Sequence, residues 1–242
     1  MSFSGPVQVF NLNPHSSDTV QQHDLGTLGI TRKGDKYRYA EAGAAALNPG
    51  QLCIATDVTA NHEDLAVNTF AIGDTSITVT LGGTAVVANE YAGGKMFVID
   101  ELGQGIAYLI DQHEASAAGG EDIIVILKEP IQVAAAAATT VTLVRNKFKN
   151  ILVSDGTQAD LPVGVPNVDI AASSFGWVQT GGLCSILVDA NDSTAGTPVT
   201  IGDGTAGAVE TKNGASESLV GIQFAGTGAD VGEYGAFDLA LE

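Results

Sequence analysis

The chain has 242 residues, 28 acids against 10 lysines and arginines, and a formal net charge of −18. With 45% hydrophobic residues it can bury a sizeable core, which excludes generic disorder. So few cations against so many acids argue against wrapping of nucleic acid and docking on an anionic membrane.

Thirty glycines among many Ala, Val, Ile and Thr residues, with few aromatics, describe short strands joined by tight turns. Residues 1–30 are polar, with Pro6, Pro14 and no sustained periodicity, and are expected to form an extended N-terminal arm. Strand signals begin after Gly34 with the alternating "YRYA". A turn at Asn48-Pro49-Gly50 precedes the apolar "QLCIA". "TSITVTLGGTAVV" predicts a hairpin about Gly82-Gly83, and "KMFVIDELGQGIAYLIDQH" predicts strand, glycine turn, strand. "DIIVILKEPI" reads as a strand stopped by Pro130. Ala134–Ala138 favours helix on propensity, but the run is short, so a brief helical turn or loop is expected before the β-branched "TTVTLV".

Beyond Asn150 the pattern predicts short strands with turns at Asp155-Gly156, Asp203-Gly204 and Asn213-Gly214. Here twelve acids face one cation, Lys212. Two stretches share a plan. "VGVPNVDIAASSFGWVQ" from Val163 and "VGIQFAGTGADVGEYGAFD" from Val220 each run Val-Gly-aliphatic, spacer, aromatic-Gly-x-hydrophobic. They predict one hairpin unit used twice. "GTGADVG" (226–232) has the wrong spacing for a phosphate loop and reads as a hairpin turn. The fold class expected is all-β: two small β-sandwich or β-barrel modules rich in hairpins, residues 31–150 and an acidic 151–242, behind the arm.

Reactive constellations are sparse. His62 and His113 each precede Glu, but neither has a second His four residues on, so the metalloprotease pattern is absent and both read as solvated loop ends. Cys53 and Cys184 lie in separate apolar runs and read as buried thiols, with pairing left open. The adjacent pairs Asp100-Glu101 and Glu121-Asp122 would point to opposite faces of a strand, which suits no acid–base dyad. The "DGT" turns at Asp155 and Asp203 could hold calcium through loop oxygens, or be ordinary turns. No catalytic residue, cofactor or metal ligand is assigned. The start lacks the charge and apolar segment of a signal peptide, and no apolar run reaches the roughly 18 residues of a membrane span.

The stretches "LGITRKGDKYRYAEAGAAALNPGQLC", "ANEYAGGKMFVIDELGQGIAYLIDQH", "VRNKFKNILV", "FGWVQTGGLC" and "LVGIQFAGTGADVGEYGAFDLAL" together resemble tailed-bacteriophage virion proteins of the capsid decoration (cement) type. The resemblance lies in pattern and composition over most of residues 25–242. It implies a non-enzymatic protein that binds the outer surface of the major capsid protein shell and stabilises the head, often as a homotrimer. It also implies a virion location on the capsid exterior, with assembly in the host bacterial cytoplasm. A tail or head-fibre component is the alternative, followed by a carbohydrate-binding β module. Candidate partner-binding residues are the cations Arg32, Lys33, Lys36 and Arg38, then Trp177 and Tyr234. Trp177, the only tryptophan, reads first as core and second as an interface anchor.

Overall fold

The computed structural model describes residues 8–10, 12–136, 138–189, 194–224 and 230–242. The regular structure of these residues is almost entirely β. The first strands are β1 (Gln8–Phe10), β2 (Ser17–Asp18), β3 (Leu28–Ile30), β4 (Lys36–Glu41) and β5 (Cys53–Ile54). Next come β6 (Leu65–Ala66), β7 (Ser76–Thr80), β8 (Lys95–Val98), β9 (Ala107–His113), β10 (Asp122–Leu127) and β11 (Thr140–Val144). The last are β12 (Leu152–Val153), β13 (Pro162–Pro166), β14 (Phe175–Val188), β15 (Pro198–Ile201), β16 (Ala208–Thr211), β17 (Gly221–Gln223) and β18 (Tyr234–Ala240).

Two compact units result, and their boundary corrects the expected split near Asn150. One unit joins Met1–Thr56 to Lys147–Glu242; the other, Asp57–Asn146, is inserted between those two pieces. The reason is pairing across sequence. β4 lies antiparallel to the first part of β14, and β5 pairs with both β12 and β13, so the N-terminal strands belong to the C-terminal sheet.

In the first unit β14, β16, β15, β17 and β18 form a closed five-stranded barrel, since β18 returns to pair with β14. Only β14–β16 is parallel in that ring. Closure leaves the ring no open edge to pair with another chain. β18 shows why the sequence folds this way: in "YGAFDLA" Gly235, Phe237 and Leu239 point inward, while Tyr234, Asp238 and Ala240 face solvent. Phe237 and Leu239 of the inward set meet Cys184, Ile186, Val199, Ile201 and Val209 in one buried apolar cluster. Both copies of the repeated unit form antiparallel strand pairs, β13–β14 and β17–β18. The turn expected at 226–232 lies largely outside the described residues.

β14 departs from the short strands expected after Asn150. It runs for 14 residues and changes partners midway, from β4 to β18. The register slips between Gln179 and Gly181, and Gly182 adopts φ +89°. The glycine pair of "FGWVQTGGLC" is thus a bend within one strand. A Cβ on Gly182 would stand 2.6 Å from an Asp35 carboxylate oxygen and 3.3 Å from the Asp35 Cα. Gly182→Val therefore adds left-handed backbone strain to a clash, and should lower unfolding free energy by about 2–4 kcal/mol. Urea denaturation checks this; an unchanged midpoint would mean the bend does not need glycine.

The N-terminal segment is not a free arm in its described residues. β3 pairs antiparallel with β4, β1 lies parallel to β3, and Ser17–Asp18 pairs with Phe175–Gly176 of β14. This layer covers Tyr37, Tyr39 and Trp177, with Val9, Leu12, Leu25 and Phe175 packed against them. The polar look of this segment hid the few apolar residues that dock it. Residues 1–7 and 11 of the expected arm lie outside the described residues.

The inserted unit has the order β6-β11-β8-β9-β10-β7, and an isolated bridge between Val67 and Val79 draws its two ends together into a nearly closed six-stranded barrel. The β8–β9 hairpin forms as expected. The hairpin about Gly82-Gly83 does not: β7 pairs with β10, and "TAVV" has no strand. Ile77 and Val79 are buried on β7, and Ile123 and Val125 on β10 offer the matching alternation. That complementarity outweighs the local turn signal. Ala134–Ala136 is irregular, and β11 follows it.

Candidate functional site

The barrel of the first unit carries an unusual outer face. Residues directly opposite each other in a sheet share a face, so Leu183 (β14), Asp238 (β18), Ile222 (β17) and Pro198 (β15) form one outward row across four strands. The next row holds Ser185, Ala236 and Phe224, the last joined to β18 by its N–H on the Ala236 carbonyl at 3.0 Å. Tyr234 begins β18 at the end of this face. Leu183 is 53% exposed, Phe224 63% and Tyr234 51%. Gln223, between two exposed apolar residues, points inward and is 5% exposed. β17 is therefore inverted, apolar outward and polar inward. The register of β17 on β18 dictates this, because Gln223 stands opposite the buried Phe237.

Of the residues singled out in the sequence, only Tyr234 lies on this face. Trp177 is 4% exposed, and its ring packs 5.2 Å from Tyr39 and 5.4 Å from His23. Its place is the core of this layer, as its first reading had it. The four cations have different surroundings. Arg32 and Lys33 are exposed at the β3–β4 turn. The Lys36 stem lies beside Gly181. Arg38 is held by both carboxylate oxygens of Glu242, at 2.6 and 2.8 Å, and donates to the Gly26 carbonyl at 2.7 Å. Its charge fastens the C-terminus to β4. Leu183, Ile222 and Phe224 escaped the sequence reading because apolar residues in a strand are normally assigned to the core.

Beside Leu183 and Tyr234 opens a cleft of about 580 Å³ that also involves Tyr37, Asn167, Gln179 and Ser185. Its floor is a fixed chain. Asn167 Nδ2 donates to the Tyr37 hydroxyl at 2.9 Å, Tyr37 donates to Gln179 Oε1 at 3.1 Å, and Gln179 Nε2 donates to the Gly181 and Leu183 carbonyls. Burial, reinforced by the charge of Asp35, pushes the Tyr37 phenol up to about 12. It stays protonated and can donate throughout the physiological range.

In the inserted unit both histidines expected on solvated loops are buried, His62 at 1% and His113 at 4% exposure. His62 Nε2 donates to the Thr84 carbonyl at 2.9 Å, leaving Nδ1 to accept from the Tyr91 hydroxyl. His113 Nε2 accepts the Tyr91 backbone N–H at 2.9 Å, and its Nδ1 donates to the Glu114 carbonyl at 2.8 Å. The two rings therefore carry their protons on opposite nitrogens and bracket Tyr91. They pin chain segments without strand pairing, a role the surrounding "HED" and "HEA" letters conceal.

Three carboxylates, Asp189, Asp203 and Glu210, have oxygens within 4.8 Å of one another. Burial and then the charges of Asp203 and Asp189 raise the Glu210 carboxyl above its ordinary value. Asp189 Oδ2 accepts the Gly204 N–H at 2.7 Å, so this carboxylate caps the β15–β16 turn. Asp155 instead closes an ordinary turn, accepting the Thr157 N–H at 3.0 Å. Cys53 and Cys184 are free and buried in different core clusters, and burial raises both thiols, Cys184 to about 12. Comparison with protein-family profiles, characterised proteins and solved structures finds no match to this chain.

Proposed function

We propose that this chain is a non-enzymatic structural protein of a tailed-bacteriophage virion. In this reading it binds the outer surface of the major capsid protein shell, associates as a homotrimer and stabilises the head. The supporting observation is the exposed apolar face of Leu183, Ile222, Phe224 and Tyr234 on a closed barrel that has no free edge in its ring. An apolar face of this kind on a soluble protein marks an interaction surface. Its surroundings are acidic, with Asp238 within the face and Glu233 beside Tyr234. Charge complementarity therefore favours a partner that presents apolar residues ringed by Lys and Arg. Net charge −18 keeps separate copies soluble until that partner is present.

The test is co-sedimentation of purified protein with expanded capsids of the phage that encodes it. Placing Asp at both Ile222 and Phe224 buries two charges in the contact, and binding should fall at least tenfold, a loss of about 1.4 kcal/mol or more. Both side chains are exposed, Ile222 by 44% and Phe224 by 63%, so the melting curve should stay close to wild type. Undiminished binding by the double variant, or no binding by the wild-type protein, would end this reading.

A further inference from the structure

The cleft beside Tyr234 has a chemistry of its own. It is lined by His15, Tyr37, Asn167, Gln179, Ser185 and Tyr234 together with apolar and backbone surface, and contains no carboxylate, ammonium or guanidinium group. In so acidic a chain that is a selective absence. No permanently charged side chain lines it to pair with an ionic ligand, and Asp35, close enough to raise the Tyr37 phenol, would repel an anion. The volume of about 580 Å³ lies within the range of small-molecule sites.

The polar groups are set in advance. Because Asn167 Nδ2 is committed to Tyr37, the amide orientation is fixed and its Oδ1 is presented as an acceptor. The Ser185 and Tyr234 hydroxyls and His15 Nε2 make no hydrogen bond among the described residues, and add donors and acceptors around the opening. The Tyr234 ring is held in place by Gly50, which has φ +75° and where a Cβ would approach the ring to 2.5 Å. The half-exposed ring rests against the backbone at Gly50.

We propose that this cleft binds a neutral pyranose sugar. The C–H face of the sugar packs on the Tyr234 ring, and its hydroxyls exchange hydrogen bonds with Asn167, Ser185 and His15. A ring that is apolar on its face and hydroxylated at its edge matches one aromatic wall among hydroxyl, amide and imidazole groups. A peptide segment would ask for a longer apolar track. Preorganisation of the floor means little ordering cost opposes binding. The proposal does not rest on capsid docking, whose test uses Ile222 and Phe224 outside the cleft.

Saturation-transfer NMR on the full chain tests it. The probes are glucose, galactose, mannose, N-acetylglucosamine, their short neutral oligomers, and polyproline as the peptide control. At least one sugar should receive saturation, and Tyr234→Ala should weaken that sugar at least tenfold. Should Tyr234→Ala not fold, shifts of the Asn167 side-chain amide on titrating wild-type protein with the sugar decide instead, and their absence overturns the proposal. It is also overturned if no sugar in the panel binds, if Tyr234→Ala binds as well as wild type, or if polyproline alone receives saturation.

Discussion

Replacing Trp177 with alanine should lower the stability of the first unit by about 3–5 kcal/mol, as removal of a large buried aromatic does. The ring is shared between two layers. On one side it meets Tyr39 of β4; on the other, the N-terminal segment through Leu12, Leu25 and His23. A Cβ on Gly29 of β3 would stand 2.8 Å from the indole, so the strand itself lies directly on the ring. Alanine leaves a void that neither a paired strand nor a closed barrel can collapse to fill. Two readouts separate this from a surface role. Urea denaturation by circular dichroism gives the loss in stability, and hydrogen exchange should show Leu28–Ile30 losing protection before the barrel does. The wild-type protein offers a simpler check. As the only tryptophan, Trp177 should emit in the blue and resist iodide quenching. A red, readily quenched emission, or a cost below about 0.5 kcal/mol as for an exposed residue, would contradict this packing.

How much of this was legible in the sequence depends on whether a residue's position is decided locally. The β8–β9 hairpin was legible, because alternation and a glycine turn lie within one short stretch. The all-β class followed from the same local signals, and the structure resolves its two modules as barrels. What could not be read was pairing over long distances. β4 meets β14 at Tyr39 and Trp177, residues whose neighbours in sequence say nothing about each other. That contact makes the inserted unit an insertion, and it turns a polar N-terminal stretch into a covering layer. The same reason hid the outer face. "VGIQF" reads as a strand with Ile222 and Phe224 inside, and only its register on Phe237 turns them out. His62 and His113 were misplaced because burial of a histidine depends on partners, here the Thr84 and Glu114 carbonyls and Tyr91, that no spacing rule supplies.

Arg145→Met should cost the inserted unit about 2–4 kcal/mol, below the full range for a completely buried pair because both side chains keep some exposure. In the sequence Arg145 stands in a group of cations with Lys147 and Lys149. In the structure its side chain is 16% exposed and that of its partner Glu90 13%. The guanidinium pairs with Glu90, donates to the Asp57 carbonyl and the Thr59 hydroxyl, both at 3.2 Å, and lies 5.8 Å from the centre of the Tyr91 ring. One side chain thus ties the entry of the unit at Asp57 to the segment holding Tyr91. Methionine keeps much of the stem's packing but leaves the Glu90 carboxylate desolvated, with only the weak 3.3 Å bond from the Val87 N–H. The loss comes mainly from that stranded charge, so it should be largely reversed when the charge is removed as well. Arg145→Met with Glu90→Leu should recover more than half of the stability lost by Arg145→Met alone, a coupling typical of residues in direct contact. Thermal unfolding of wild type, both single variants and the double variant completes the cycle. Additive losses would show that Arg145 acts through the Asp57 carbonyl and the Thr59 hydroxyl, with the pairing to Glu90 contributing nothing.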